Sequence, residues 1–183
     1  MLIFDFPPQA EKETGCFSVF DRNGQEELLF VPPLTSPEAV PAFDGWICYL
    51  PPAPALSSMP ISEKTLVSEA DALARNPVWV SSRLCGGTLE QRLSEAKTAY
   101  GDRLWLLIEP FRTLLPLPCP DGRGEEVDMI PDCVLQDADA FCCKYCVVFS
   151  GKPKLFLLDT EQTVRRKLAL AERLGIGHVV IFP

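Results

Sequence analysis

Thr88–Pro110, TLEQRLSEAKTAYGDRLWLLIEP, and Thr163–Pro183, TVRRKLALAERLGIGHVVIFP, carry the same pattern. Each opens with a helix whose apolar residues recur every three or four positions. In the first copy these are Leu89, Leu93, Ala96 and Tyr100; in the second, Val164, Leu168, Ala171 and Leu174. A glycine then stops the helix, Gly101 or Gly175, and a short apolar run ends in a proline. Thr88 with Gln91 has the spacing of a capping box, and Asp159 or Thr160 caps the second helix. Leu104–Ile108 is apolar throughout, as a strand covered on both faces must be.

Working outward, Ser62 can cap a third helix running to about Arg75, with Leu66, Val67, Ala70, Leu73 and Ala74 as its stripe and Asn76-Pro77 as its stop. Val78-Trp79-Val80 follows as a strand, and Cys85-Gly86-Gly87 turns the chain into the Thr88 helix. Phe17–Phe20 and Leu28–Val31 flank Asn23-Gly24, a hairpin signal. A second hairpin pairs Phe141–Phe149 with Lys154–Leu158. Trp46–Leu50 is a short strand within a proline-rich stretch at 32–60, and a second loop-rich stretch covers 110–131 with a turn at Pro120-Asp121-Gly122. Strand–helix–strand crossovers are right-handed and parallel. Val78–Val80 and Leu104–Ile108 should therefore be parallel neighbours or near-neighbours in one sheet, and so should Lys154–Leu158 and His178–Phe182. The expected fold is one α/β domain over 1–183, a mixed sheet with helix–strand crossovers, two antiparallel hairpins and three main helices.

The 183 residues carry a net charge of −8, and Arg165-Arg166-Lys167 is the longest basic run. That argues against a nucleic-acid partner and against an anionic membrane surface. No segment approaches the ~20 apolar residues that span a bilayer, and the N-terminus lacks a cationic lead. The expectation is a cytoplasmic protein whose eight cysteines are reduced thiols packed as small apolar residues. The Cys142, Cys143 and Cys146 cluster does not match a zinc spacing, and in a strand Cys143 and Cys146 point to opposite faces. No metal and no cofactor are expected. The apolar final strand, with no helix after it, offers an edge for pairing with a second copy.

Ligands of open α/β sheets gather at the carboxyl ends of parallel strands. Those ends carry Ser81, Ser82 and Arg83 after one strand, Glu109 and Arg112 after the next, and Asp159 after a third. Glu109 follows an apolar run, where burial would suit it to general acid work with Asp159 as its partner. Ser82, Arg83 and Arg112 would bind the ligand. The competing reading pairs Glu109 with an arginine and leaves Asp159 as a helix cap. His178 is the sole histidine and opens the final strand at the end away from these groups.

The stretch 158–183, with Lys167, Ala171, Gly175 and Gly177 in place, resembles the last helix and strand of family 18 glycoside hydrolase barrels. The resemblance covers about 26 of 183 residues. That family's D-x-x-D-x-D-x-E signature is absent; the nearest fragment, Phe43–Leu50, lacks the later acids. The resemblance therefore implies a shortened form to which no catalytic residue can be transferred. The leading expectation is a non-catalytic binding or interaction domain for a small polar ligand or a protein. The alternative is a glycosidase-like hydrolase using Glu109.

Overall fold

The computed structural model describes residues 1–7, 15–32, 35–50, 59–73, 75–83, 87–118 and 124–182. Two sheets organise them. The larger has eight strands in the order β1 (Leu2–Asp5), β13 (His178–Ile181), β7 (Leu104–Ile108), β6 (Val78–Ser81), β5 (Thr65–Ser68), β4 (Trp46–Tyr49), β3 (Glu27–Val31) and β2 (Phe17–Phe20). All neighbours run parallel except β2 and β3, which form the expected antiparallel hairpin. The sheet curls until it is nearly closed into a barrel. At the seam, Arg22 donates its backbone N–H to the Ile3 carbonyl at 2.9 Å, and its side chain pairs with Asp5 at 2.7 Å.

Alternation along each strand sorts the side chains. Phe4, Leu28, Phe30, Cys48, Leu66, Trp105, Leu107 and Val180 point inward and fill the barrel. Val80, Leu104, Leu106, Ile108 and Val179 point outward. They pack against α1 (Leu89–Tyr100) and α2 (Glu161–Arg173), and the helix stripes read from the sequence are the faces that pack there. At about 1.5–3 kcal/mol per fully buried large apolar side chain, these two layers are the main source of stability.

The connection from β7 to α2 carries the second sheet. It is a five-stranded antiparallel sheet in the order β10 (Gln136–Ala138), β11 (Cys143–Ser150), β12 (Lys152–Leu158), β8 (Arg112–Pro116) and β9 (Glu125–Glu126). Its two faces have separate cores. Phe111, Cys143 and Leu157 lie on one, and Cys146, Phe156 and Leu158 on the other. Against the expectation of reduced thiols throughout, Cys146 forms a disulfide with Cys133; Cys16, Cys48, Cys142 and Cys143 are free thiols.

This architecture corrects the expected one. The described residues hold two α-helices rather than three main ones. Ser62–Arg75 is not a helix: it supplies β5 and a single 3₁₀ turn, Glu69–Asp71. Leu66 enters the barrel, Val67 is buried on the opposite face, and Asn76 ties the preceding turn down through the carbonyls of Ser62 and Thr65. A short apolar run buried on both faces satisfies helical spacing by accident. β12 and β13 are not parallel neighbours, because they belong to different sheets. Nor is the final strand an edge: β13 is interior, between β1 and β7. β6 and β7 are parallel neighbours as expected. Ala74, Cys85-Gly86, Cys119 and the Pro120-Asp121-Gly122 turn lie outside the described residues. No described helix is long and apolar enough to cross a membrane.

Candidate functional site at the strand ends

The parallel register of β6 and β7 sets Ser81 opposite Leu107. Both point inward, and Glu109, two residues past Leu107, continues that side at the carboxyl mouth of the barrel. Its carboxylate accepts a hydrogen bond from the Ser81 hydroxyl. The Ser81 hydroxyl in turn accepts from the Arg83 backbone N–H at 3.0 Å. Ser82 is fully buried; its Oγ accepts from the Glu109 N–H at 3.2 Å, and its own N–H donates to the Leu107 carbonyl at 2.7 Å. Ser82 is therefore a clamp between two strands, with no surface to offer a ligand.

Arg83 reaches across the mouth to the second sheet. It donates to the Pro110 carbonyl and to Glu126, both at 2.7 Å, and its guanidinium lies 5.6 Å from the centre of the Phe111 ring. Arg112 turns elsewhere, donating to the Asp128 carbonyl at 2.6 Å. The structure thus gathers Ser81, Ser82, Arg83 and Glu109 and leaves Arg112 outside that group.

Asp159 lies under Phe111, with a fully buried carboxylate. That carboxylate accepts from the Phe111 N–H at 2.8 Å, the Thr163 hydroxyl at 2.7 Å and the Lys167 ammonium at 2.5 Å. Lys167 is equally buried, and its ammonium lies 5.0 Å from the Phe111 ring centre. Thr160, rather than Asp159, caps α2, and Thr163 completes a capping box. Asp159 therefore fastens the second sheet to α2. As part of the Arg165-Arg166-Lys167 run, Lys167 was expected on the solvated polar face of the helix; the structure instead buries it, with Thr163 and Ala171 four positions to either side.

Beside Ser81 a cleft of about 270 Å³ opens at the ends of β5 and β6, lined by Ser68, Glu69, Trp79, Ser81, Arg83 and Arg92. Arg92, from the first turns of α1, makes a two-pronged pair with Glu69, and the Ser68 hydroxyl donates to Asp71 at 2.6 Å. The sequence reading missed Ser68, Glu69 and Arg92, because it placed the first two inside a helix and gave Arg92, which lies off the apolar stripe of its helix, no role. A larger groove, about 620 Å³, runs between the start of α1, α2 and the turn at 139–142. Its charges are paired across it, Arg173 with Glu90 and Arg166 with Asp139.

His178 occupies the opposite end of the barrel. It stacks on Trp105 at 4.3 Å and meets Trp46 edge-on at 5.6 Å. Its Nδ1 is buried without a hydrogen-bond partner, and burial holds its pKa below the usual histidine value. Among the described residues no three His, Cys, Asp or Glu side chains converge as metal ligands would.

Comparisons with protein-family models, curated proteins and solved structures found no match.

Proposed function

We propose that the chain is a non-catalytic binding domain that takes a small polar ligand in the cleft at the ends of β5 and β6. The observation that carries this reading is the placement of polar groups there. Ser68, Glu69, Trp79, Ser81, Arg83 and Arg92 border an open cleft, and the Ser81 hydroxyl donates a hydrogen bond to the half-buried Glu109. Below it the barrel is filled by Phe4, Phe30, Trp105 and Leu107, so a ligand sits on the barrel mouth and does not enter. The glycosidase-like alternative assigns Glu109 as acid and Asp159 as partner. Against it, the Asp159 carboxylate is sealed and already holds three donors.

The test uses backbone and indole amide resonances of the isotopically labelled full chain, titrated to millimolar concentration with glucose and, separately, inorganic phosphate. The expected result is saturable shifts at Trp79, Ser81 and Arg83 with one of the two probes, weakened by Glu109→Gln. Shifts confined to other regions, or none with either probe, would overturn the proposal. Cleavage of nitrophenyl glycosides by the wild type but not by Glu109→Gln would replace it with the hydrolase.

A further inference from the structure

β11 is eight residues long, but β10 pairs with only its first three, Cys143, Lys144 and Tyr145. From Cys146 to Ser150 no described strand lies on the side of β11 away from β12. An unpaired edge of this kind presents a row of free N–H and C=O groups and accepts an added strand. Where β10 ends, the preceding chain diverges and leaves a cleft of about 310 Å³ between Cys133-Val134 and Tyr145–Val147. The Cys133–Cys146 disulfide holds that diverging segment in place.

The two faces beside this edge differ in chemistry. On one, Val147 and Phe149 stand out, 41% and 80% exposed, with Val134 beside the cleft at 83%. On the other, the register aligns Lys154 with Val148 and Lys152 with Ser150. From Cys142 to Leu158 the hairpin contains three lysines and no acid, in a chain of net charge −8. Lys144 is paired with Asp137, while neither Lys152 nor Lys154 has an ion-pair partner among the described residues.

We propose that the outer edge of β11 adds an extended strand from a protein partner whose residues alternate acidic and apolar. Backbone hydrogen bonds attach the strand. Its apolar side chains cover Val147 and Phe149 and enter the cleft beside Val134. Its acids face Lys152 and Lys154, one strand away and within reach of the long lysine side chains. A strand of period two presents both sets at once. This surface lies on the second sheet, and its use does not depend on the strand-end cleft.

The experiment measures anisotropy of a fluorescein-labelled eight-residue peptide of alternating glutamate and valine against the full chain. Saturable binding is expected, with no binding by the lysine–valine counterpart. Lys152→Glu with Lys154→Glu should weaken it about tenfold, as reversal of a local charge pattern does. The decisive arm leaves the protein untouched. N-methylating one alternate set of peptide nitrogens should abolish binding, and methylating the other set should spare it, because only one edge of the peptide pairs. No binding, or equal loss from both methylated peptides, would overturn strand addition. A dimer of the chain alone that Phe149→Lys disperses would assign the edge to a second copy and likewise overturn the proposal.

Discussion

Lys167 and Asp159 form an ion pair that water does not reach. Removing two charges from water costs several kcal/mol per ion, and only a full set of partners offsets it. Asp159 has that set in Lys167, Thr163 and the Phe111 N–H. Removing one ion strands the other. Lys167→Ala should therefore destabilise the fold by about 3–5 kcal/mol, read as a drop in the urea midpoint at unchanged slope. A loss under 1 kcal/mol would show that water reaches the pair. His178 gives a second residue-scale expectation. Its ring touches Trp105 and Trp46, and the nearby charges are Glu26, which raises its pKa, and the Met1 amino group, which lowers it. Burial dominates, so the folded state binds a proton less readily than the unfolded chain, where the value is about 6.5. Above that pH both states are neutral and stability is at its full value. Below it the unfolded chain protonates first, and stability falls as the pH drops toward the lower folded value. As the chain's single histidine, His178 should account for most of the fall in melting temperature between pH 7.5 and 5.5. His178→Gln should flatten that slope, and an unchanged slope would assign it to other groups.

Thr160 begins α2 as an N-cap and exchanges hydrogen bonds with Thr163. Thr160→Ala should cost about 1 kcal/mol, measured by urea denaturation, and Thr160→Asn should restore most of it; no loss in the alanine variant would mean that packing alone holds the helix start. Elements of this kind were readable because their signals are local. Caps, glycine stops and stripes placed both α-helices, and Leu104–Ile108 was apolar enough to read as a buried strand. β5 was not readable as a strand. Three successive buried residues, Thr65, Leu66 and Val67, have no alternation to display, and the Ser62 hydroxyl that looks like a cap lies in the turn before the strand. The loop between β2 and β3 shows an intermediate case. Asn23-Gly24 marks the turn, yet its geometry is set by Asp21, whose buried carboxylate accepts the N–H groups of Asn23 at 3.0 Å and Glu26 at 2.9 Å. The site was half readable for the same reason: Ser81, Arg83 and Glu109 follow their strands directly, whereas Ser68, Glu69 and Arg92 converge only through barrel curvature.

Two sheets with separate cores should open as two cooperative units. The barrel is sealed by Phe4, Trp105 and Leu107, and the second sheet by its own two small clusters and one disulfide. Cys133 and Cys146 are 13 residues apart, and closing a loop of that size contributes up to about 3 kcal/mol. The paired change Cys133→Ser and Cys146→Ser should speed hydrogen exchange across Val127–Phe149 while leaving Leu104–Ile108 and His178–Ile181 protected. Equal acceleration in both sheets would mean that they open together.

The position of β13 between β1 and β7 sets an order of events during synthesis. Leu2–Asp5 leaves the ribosome before its parallel partner, His178–Ile181, and Leu2 and its register partner His178 are 176 positions apart. Until that partner emerges, the nascent protein lacks the strand that lies between β1 and β7 and sets Phe4 against Trp105 in the folded barrel. Contacts this distant in sequence form slowly, and the apolar surface they leave bare in the interval is open to wrong partners. For this chain, the interval between synthesis of Leu2–Asp5 and of His178–Ile181 is when the barrel interior is most open to mispairing.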